Sequence, residues 1–72
     1  MRVIVNGKPR EVDGAADRRE VPLLTLLSSY GVNPRLVAVA INGDVIRKAD
    51  YAAAVVANGD AVEIVRMVGG GA

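Results

Sequence analysis

Leu36-Val-Ala-Val-Ala-Ile-Asn-Gly-Asp44 is the stretch on which the fold turns. Its first six residues are apolar at odd and even positions alike, and Val and Ile favour extended backbone. The pattern predicts a strand over residues 36–41 that is covered on both faces or held between two neighbours. Asn42-Gly43-Asp44 then ends it, with Val45-Ile46 as a short return. Asn-Gly between extended segments is the strongest short-range hairpin signal, because both central positions of a type I′ turn need positive φ.

The same punctuation recurs on either side. Met1-Arg-Val-Ile-Val-Asn6 is followed by Gly7, so the chain opens with a second hairpin whose return runs over residues 9–13. That return has Val12 as its one strongly apolar side chain and carries Pro9, which cannot donate to a ladder, so it is expected at a sheet edge. Met1, Val3 and Val5 share one face and are assigned to the core with Leu23 and Leu27, while Ile4 points the other way. Residues 14–20 are polar and Ala-rich and read as a loop. Residues 22–30 read as the main helix: Leu23, Leu24, Leu27 and Tyr30 recur at helical spacing, Pro22 suits the first helical position, and Gly31 suits the position just past the end. No Ser, Thr, Asp or Asn precedes Pro22, which leaves the N-cap weak. Residues 50–57 are Ala-rich and are expected to form a short second helix capped by Asp50, Asn58-Gly59-Asp60 is a third turn, and residues 61–68 are the last strand. Strands before and after one covering helix make an α+β arrangement. The pattern is that of a β-grasp: a mixed sheet of four to five strands with the main helix across it. Residues 1–68 form one domain, and residues 69–72 a flexible Gly-rich tail.

Composition narrows the function. The chain has 72 residues, 51% of them apolar, nine basic and eight acidic side chains, and neither cysteine nor histidine. One small domain is the ceiling at this length. Without Cys there is no disulfide, thiolate nucleophile, thiolate zinc site or iron–sulfur ligation, and without His the commonest metal ligand and neutral-pH general base are missing. No catalytic residue, metal site or bound cofactor is therefore expected, and an enzyme acting alone is not. A net charge of +1 with interspersed signs gives no broad footprint for nucleic acid or an anionic membrane. Arg18-Arg19 lies between Asp17 and Glu20 and reads as a solvated loop. No signal peptide or spanning segment is visible, so a cytoplasmic, soluble protein is expected, monomeric when free in the absence of heptads or an apolar dimer stripe.

The last residues, Met67-Val-Gly-Gly-Gly-Ala72, carry three consecutive glycines directly after a strand. Glycines cannot pack and adopt either sign of φ. A frayed terminus is one reading. The other is a tail kept thin so that a partner can grip bare backbone and reach the terminal carboxylate.

Val3-Ile-Val-Asn-Gly7, the block from Gly31 to Arg47, and Asn58-Gly-Asp-Ala-Val-Glu-Ile-Val-Arg-Met-Val-Gly-Gly-Gly71 together resemble the prokaryotic ThiS-type sulfur carriers of thiamin biosynthesis. The resemblance covers nearly the whole chain. The related molybdopterin-pathway carriers tend to place prolines before the tail, which Arg66-Met67-Val68 lacks. The resemblance implies a protein that is itself a substrate. An E1-like, ThiF-type adenylyltransferase would use ATP to adenylate the C-terminal glycine carboxylate. Sulfur from a cysteine-derived persulfide would then replace AMP to give a thiocarboxylate, and a ThiG-type thiazole synthase would take that sulfur. Gly71 corresponds to the acyl residue, with Gly69 and Gly70 threading into the partner. Ala72 departs from the family pattern: a processing protease removes it, or the partner accepts an alanine carboxylate, or it does not belong to the natural chain.

Other residues carry weaker signals. Ile4 is an ordinary exposed isoleucine or, with Arg66, Met67 and Val68, part of a partner interface beside the tail. Asp60 is read as a turn residue, Glu63 and Arg66 as surface charges, and Lys8 and Lys48 as ordinary exposed lysines. Delivery to molybdopterin or an amino-acid pathway, or a ubiquitin-like interaction module with an inert tail, are the alternatives. A small RNA-binding β-grasp is disfavoured by the balanced charge and the scarcity of aromatics.

Overall fold

A computed structural model describes residues 1–12 and 20–67. Strand β1 (Arg2–Val5) turns through Asn6-Gly7 into β2 (Lys8–Glu11), and β4 (Val37–Ile41) turns through Asn42-Gly43 into β5 (Asp44–Ile46). Both predicted hairpins are present. Asn6 and Gly7 have φ of 51° and 81°, and Asn42 and Gly43 have 52° and 86°, the doubly positive turn that matches the twist of paired strands. Between the hairpins lie β3 (Glu20–Pro22) and helix α1 (Leu23–Ser29); after them come β6 (Val55–Ala57) and β7 (Ala61–Arg66). Five strands form a mixed sheet in the order β2-β1-β7-β4-β5, and β3 pairs with β6 in a separate two-stranded ribbon. This is the β-grasp arrangement, with β7 central, parallel to β1 and antiparallel to β4.

Side-chain alternation builds the core. Val3 and Val5 of β1, Val37 and Val39 of β4, and Val62 of β7 are buried on the sheet's inner face, against Leu23, Leu26 and Leu27 of α1. Leu26 therefore belongs to the inward stripe, whereas Leu24 is 37% exposed; the helix presents positions 23, 26, 27 and 30. Met1 and Tyr30 pack half-buried at the margin. Ala38 and Ala40 face outward on β4 and are half-buried, so β4 is the internal strand expected but its outer face is open.

The helix is ended and begun by different devices. Gly31 at φ 69° accepts the predicted role: its N–H donates to the Ser28 carbonyl at 3.0 Å and Val32 N–H to the Leu27 carbonyl at 3.3 Å, a Schellman closure. Pro22 stands one residue earlier than expected, as the N-cap and the last residue of β3, with an extended ψ of 140°. The first helical N–H, of Leu23, is satisfied by the Ala54 carbonyl at 2.9 Å, which replaces the missing side-chain cap.

Several boundaries differ from expectation. The return strand is Lys8–Glu11, not 9–13, and its register explains Pro9. Met1 and Val12 exchange backbone hydrogen bonds at 2.8 and 3.3 Å, so by alternation the Pro9–Ile4 pair is a non-bonded one and the proline nitrogen faces the free edge. Glu20 belongs to β3, and the rest of the expected 14–20 loop lies outside the described residues. Leu36 ends a 3₁₀ turn, Pro34–Leu36, capped by the Asn33 side chain accepting from Arg35 N–H at 2.9 Å. The second helix is displaced and reduced: it is a single 3₁₀ turn at Lys48–Asp50, and the end of the Ala-rich segment is strand β6. Tertiary pairing overrides alanine's helix propensity there, because Val56 reaches full burial only opposite Val21 in the β3–β6 ribbon. Asn58-Gly59 links β6 to β7, strands of different sheets, so the third turn closes no hairpin; Gly59 alone has positive φ, 89°.

Candidate functional site

The last strand is seated in the middle of the sheet. Val37, Val39 and Ile41 of β4 stand opposite Arg66, Ile64 and Val62, and β1 takes the other side through Ile4–Ala61 and Val5–Val62. Where β1 turns away, the Asn6 side chain continues its rung. Its Oδ1 accepts from Ile64 N–H at 2.8 Å and its Nδ2 donates to the Ile64 carbonyl at 3.2 Å. A primary amide imitates one residue of backbone here, so the Asn of the first turn serves the turn and the neighbouring strand together.

The second and third turns fasten the start of β7. Asn42 Oδ1 accepts from Ala61 N–H at 2.9 Å, and its Nδ2 donates to Asp60 Oδ1 at 3.0 Å. Asp60 Oδ2 accepts from Ala57 N–H at 2.8 Å, which makes Asp60 the turn residue it was read to be. Asn58 Oδ1 accepts from Arg2 N–H at 2.8 Å, fixing the turn to β1. Sequence reading finds these asparagines as turn formers through their Asn-Gly signature but carries no signal for the strands their side chains hold.

At its other end β7 delivers the chain to Met67, whose N–H donates to the Leu36 carbonyl at 2.8 Å. Met67 is 48% exposed and Arg66 is exposed, so the root of the tail is open to a partner. The expected positions Val68, Gly69, Gly70, Gly71 and Ala72 lie outside the described residues.

Ile4 and Arg66 are not brought together. Ile4 stands beside Ala61 at the start of β7, five residues or about 17 Å from Arg66. Register also separates them by face: Ile4 shares the outer face with Ala61, whereas Arg66 has the parity of buried Val62. The outer-face neighbour nearest the exit is Val65, 60% exposed opposite Ala38, with Val45 at 76% beyond it. Strict alternation from Val62 could have identified Val65.

Two residues near the exit make contacts that their sequence does not signal. Tyr51 is 4% exposed, with its hydroxyl donating to the Val37 carbonyl at 3.0 Å, and Lys48, exposed as expected, also donates to three backbone carbonyls. Among the described residues no group of three or more Asp, Glu, His or Cys side chains converges on a point, and no helix is long and apolar enough to cross a membrane. The described residues thus form a central strand, β7, fastened at its start by the side chains of Asn42 and Asp60 and followed by the exposed Met67.

Comparison with known proteins places the chain in a family. Residues 3–71 match the ThiS family. The crystal structure of a thiamine biosynthesis protein (ThiS) from Geobacter metallireducens superposes with a TM-score of 0.81 at 39% identity, covering 97% of this chain and 99% of that one. The solution structure of a thiamine biosynthesis protein from the same organism gives 0.76 at 40% identity, covering 100% of this chain and 90% of that one. A curated relative named thiazole synthase, from Paramagnetospirillum magneticum, is 35% identical over 71 residues; the match takes in 99% of this chain, which spans about a fifth (20%) of that protein's length. A family match over almost every residue, at the level of the whole fold, has one meaning: the chain belongs to the ThiS family.

Proposed function

We propose that the chain is a sulfur carrier for thiamin biosynthesis, loaded at its C-terminus and unloaded by a thiazole synthase. The observation that carries the reading is the family match through Gly71, in a chain whose sequence places Gly69-Gly70-Gly71 shortly after the central strand β7. An E1-like partner adenylates the Gly71 carboxylate with ATP, releasing pyrophosphate. The outer sulfur of a persulfide then attacks the acyl carbon and expels AMP to give an acyl disulfide, and a second thiol attacks the inner sulfur, forming a disulfide with the donor and releasing the thiocarboxylate. The absence of Cys and His from the sequence suits this division of labour, since the nucleophile and acid–base groups reside on the partners. The family match runs through Gly71 and leaves Ala72 outside, which supports Gly71 as the acyl residue. A thiazole synthase with a segment similar to this chain supports that enzyme as the acceptor.

Intact-mass spectrometry tests the reading. Incubation with a processing protease, an E1-like partner, MgATP, a persulfide donor and a thiol should yield a species lacking Ala72 and carrying one sulfur in place of one oxygen. A chain processed to Gly71 whose mass stays unchanged under those conditions would overturn it.

A further inference from the structure

At the exit end of β7 a single lysine gathers several backbone carbonyls. Lys48 Nζ donates to the carbonyls of Arg35 at 2.6 Å, Val37 at 3.2 Å and Pro34 at 3.3 Å. An ammonium has three hydrogens, so its donors are all spent on one four-residue segment. The ammonium also lies 5.9 Å from the Tyr51 ring centroid, and the Tyr51 hydroxyl shares the Val37 carbonyl. The remaining carbonyl of that segment, Leu36, receives Met67 N–H at 2.8 Å. Lys48 and the tail root thus grip the same stretch of backbone from two sides. Three carbonyl oxygens turned toward one point repel each other unless a cation sits between them.

We infer that Lys48 is a positioning residue for sulfur loading: by gathering the 34–37 carbonyls it fixes Leu36, and through the Leu36–Met67 bond it sets where and in what direction the tail leaves the domain. The inference rests on the carrier reading. Gly71 lies four residues beyond Met67, a maximum reach of about 14 Å, so Met67 is the anchored point from which the acyl end is reached. Misplacement of a reacting atom by about 1 Å can cost on the order of a hundredfold in rate. A lysine two strands away in sequence thereby acts on chemistry it never touches.

Lys48→Met keeps most of the stem and removes the charge, and Lys48→Arg returns donors to the same carbonyls. Two readouts apply to each variant: hydrogen exchange at the Met67 amide, and initial adenylation rates with the E1-like partner as carrier concentration is varied. Lys48→Met should speed Met67 exchange by about tenfold and lower kcat by a similar factor with KM within about twofold, because the folded domain still docks. Lys48→Arg should restore both, and Lys48→Gln, with one donor group left, should fall between. Dispersed amide spectra report that each variant is folded, and Lys48→Gln carries the test if Lys48→Met is not. Native-like Met67 exchange in Lys48→Met, or faster exchange with native kcat, overturns the inference. A native chain that the partner fails to adenylate sinks the carrier reading instead, and the Met67 exchange rates then decide the Lys48 link alone.

Discussion

The two ends of β7 are secured by opposite means. At its start, side chains do the fastening: Asn42 and Asp60 bond each other, and between them they hold Ala57 and Ala61, while Asp60's own carbonyl takes Ile4 N–H at 2.9 Å. At its finish the strand is tied by one backbone bond to Leu36, in a segment that a single lysine gathers. The difference teaches that a carrier separates rigidity from access along one strand. Rigidity is concentrated where nothing has to enter a partner, and the exit is left with the fewest atoms in the way.

Breaking each end should have different consequences. The largest effect belongs to the exit: deleting residues 69–72 should abolish thiocarboxylate formation, read by intact mass. At the entry, Asp60→Ala strips the acceptor from Ala57 N–H and from the Asn42 amide, and should cost about 1–3 kcal/mol in urea denaturation. Loading per folded molecule should stay at the native rate; a matching loss of loading would mean that the two ends are not separable. Gly43→Ala is smaller. An added Cβ meets nothing within 4 Å, so only the φ of 86° is at issue, and the cost should be about 1 kcal/mol by the same measurement. Smallest is Arg47→Ala, next to Lys48 in the chain, which removes an exposed 3.5 Å pair with Asp50. It should move stability by less than about 0.5 kcal/mol and leave Met67 exchange unchanged, isolating Lys48 from its neighbour.

What could be read from sequence was local. Asn-Gly marks a turn because of the conformation of those two residues, and both hairpins and the Gly31 helix end follow from such rules. The β3–β6 ribbon was illegible because its rungs join residues about 35 apart, Val21 to Val56 among them, and the intervening alanines favour helix. Leu24 and Leu26 exchange roles for a different reason: a seven-residue helix fits two overlapping apolar stripes, and only the sheet beneath it selects one. Lys48 could not be distinguished from Lys8 in sequence, because the carbonyls that hold it converge only once the 3₁₀ turn at Pro34–Leu36 is formed. The tail's composition was legible, and so was its attachment to a last strand. The expected Ile4–Arg66 neighbourhood was not, since it depends on a parallel register that starts Ile4 at the wrong end of β7.

The central seat of β7 has a consequence for biosynthesis. Hairpins β1–β2 and β4–β5 can each form soon after they leave the ribosome, but no strand joins them in one sheet until Ala61–Arg66 arrives to lie between β1 and β4. The sheet and the root of the tail are therefore completed in the same event. A truncated or stalled chain offers neither, so the anchored root of the tail exists only on a chain whose sheet is closed.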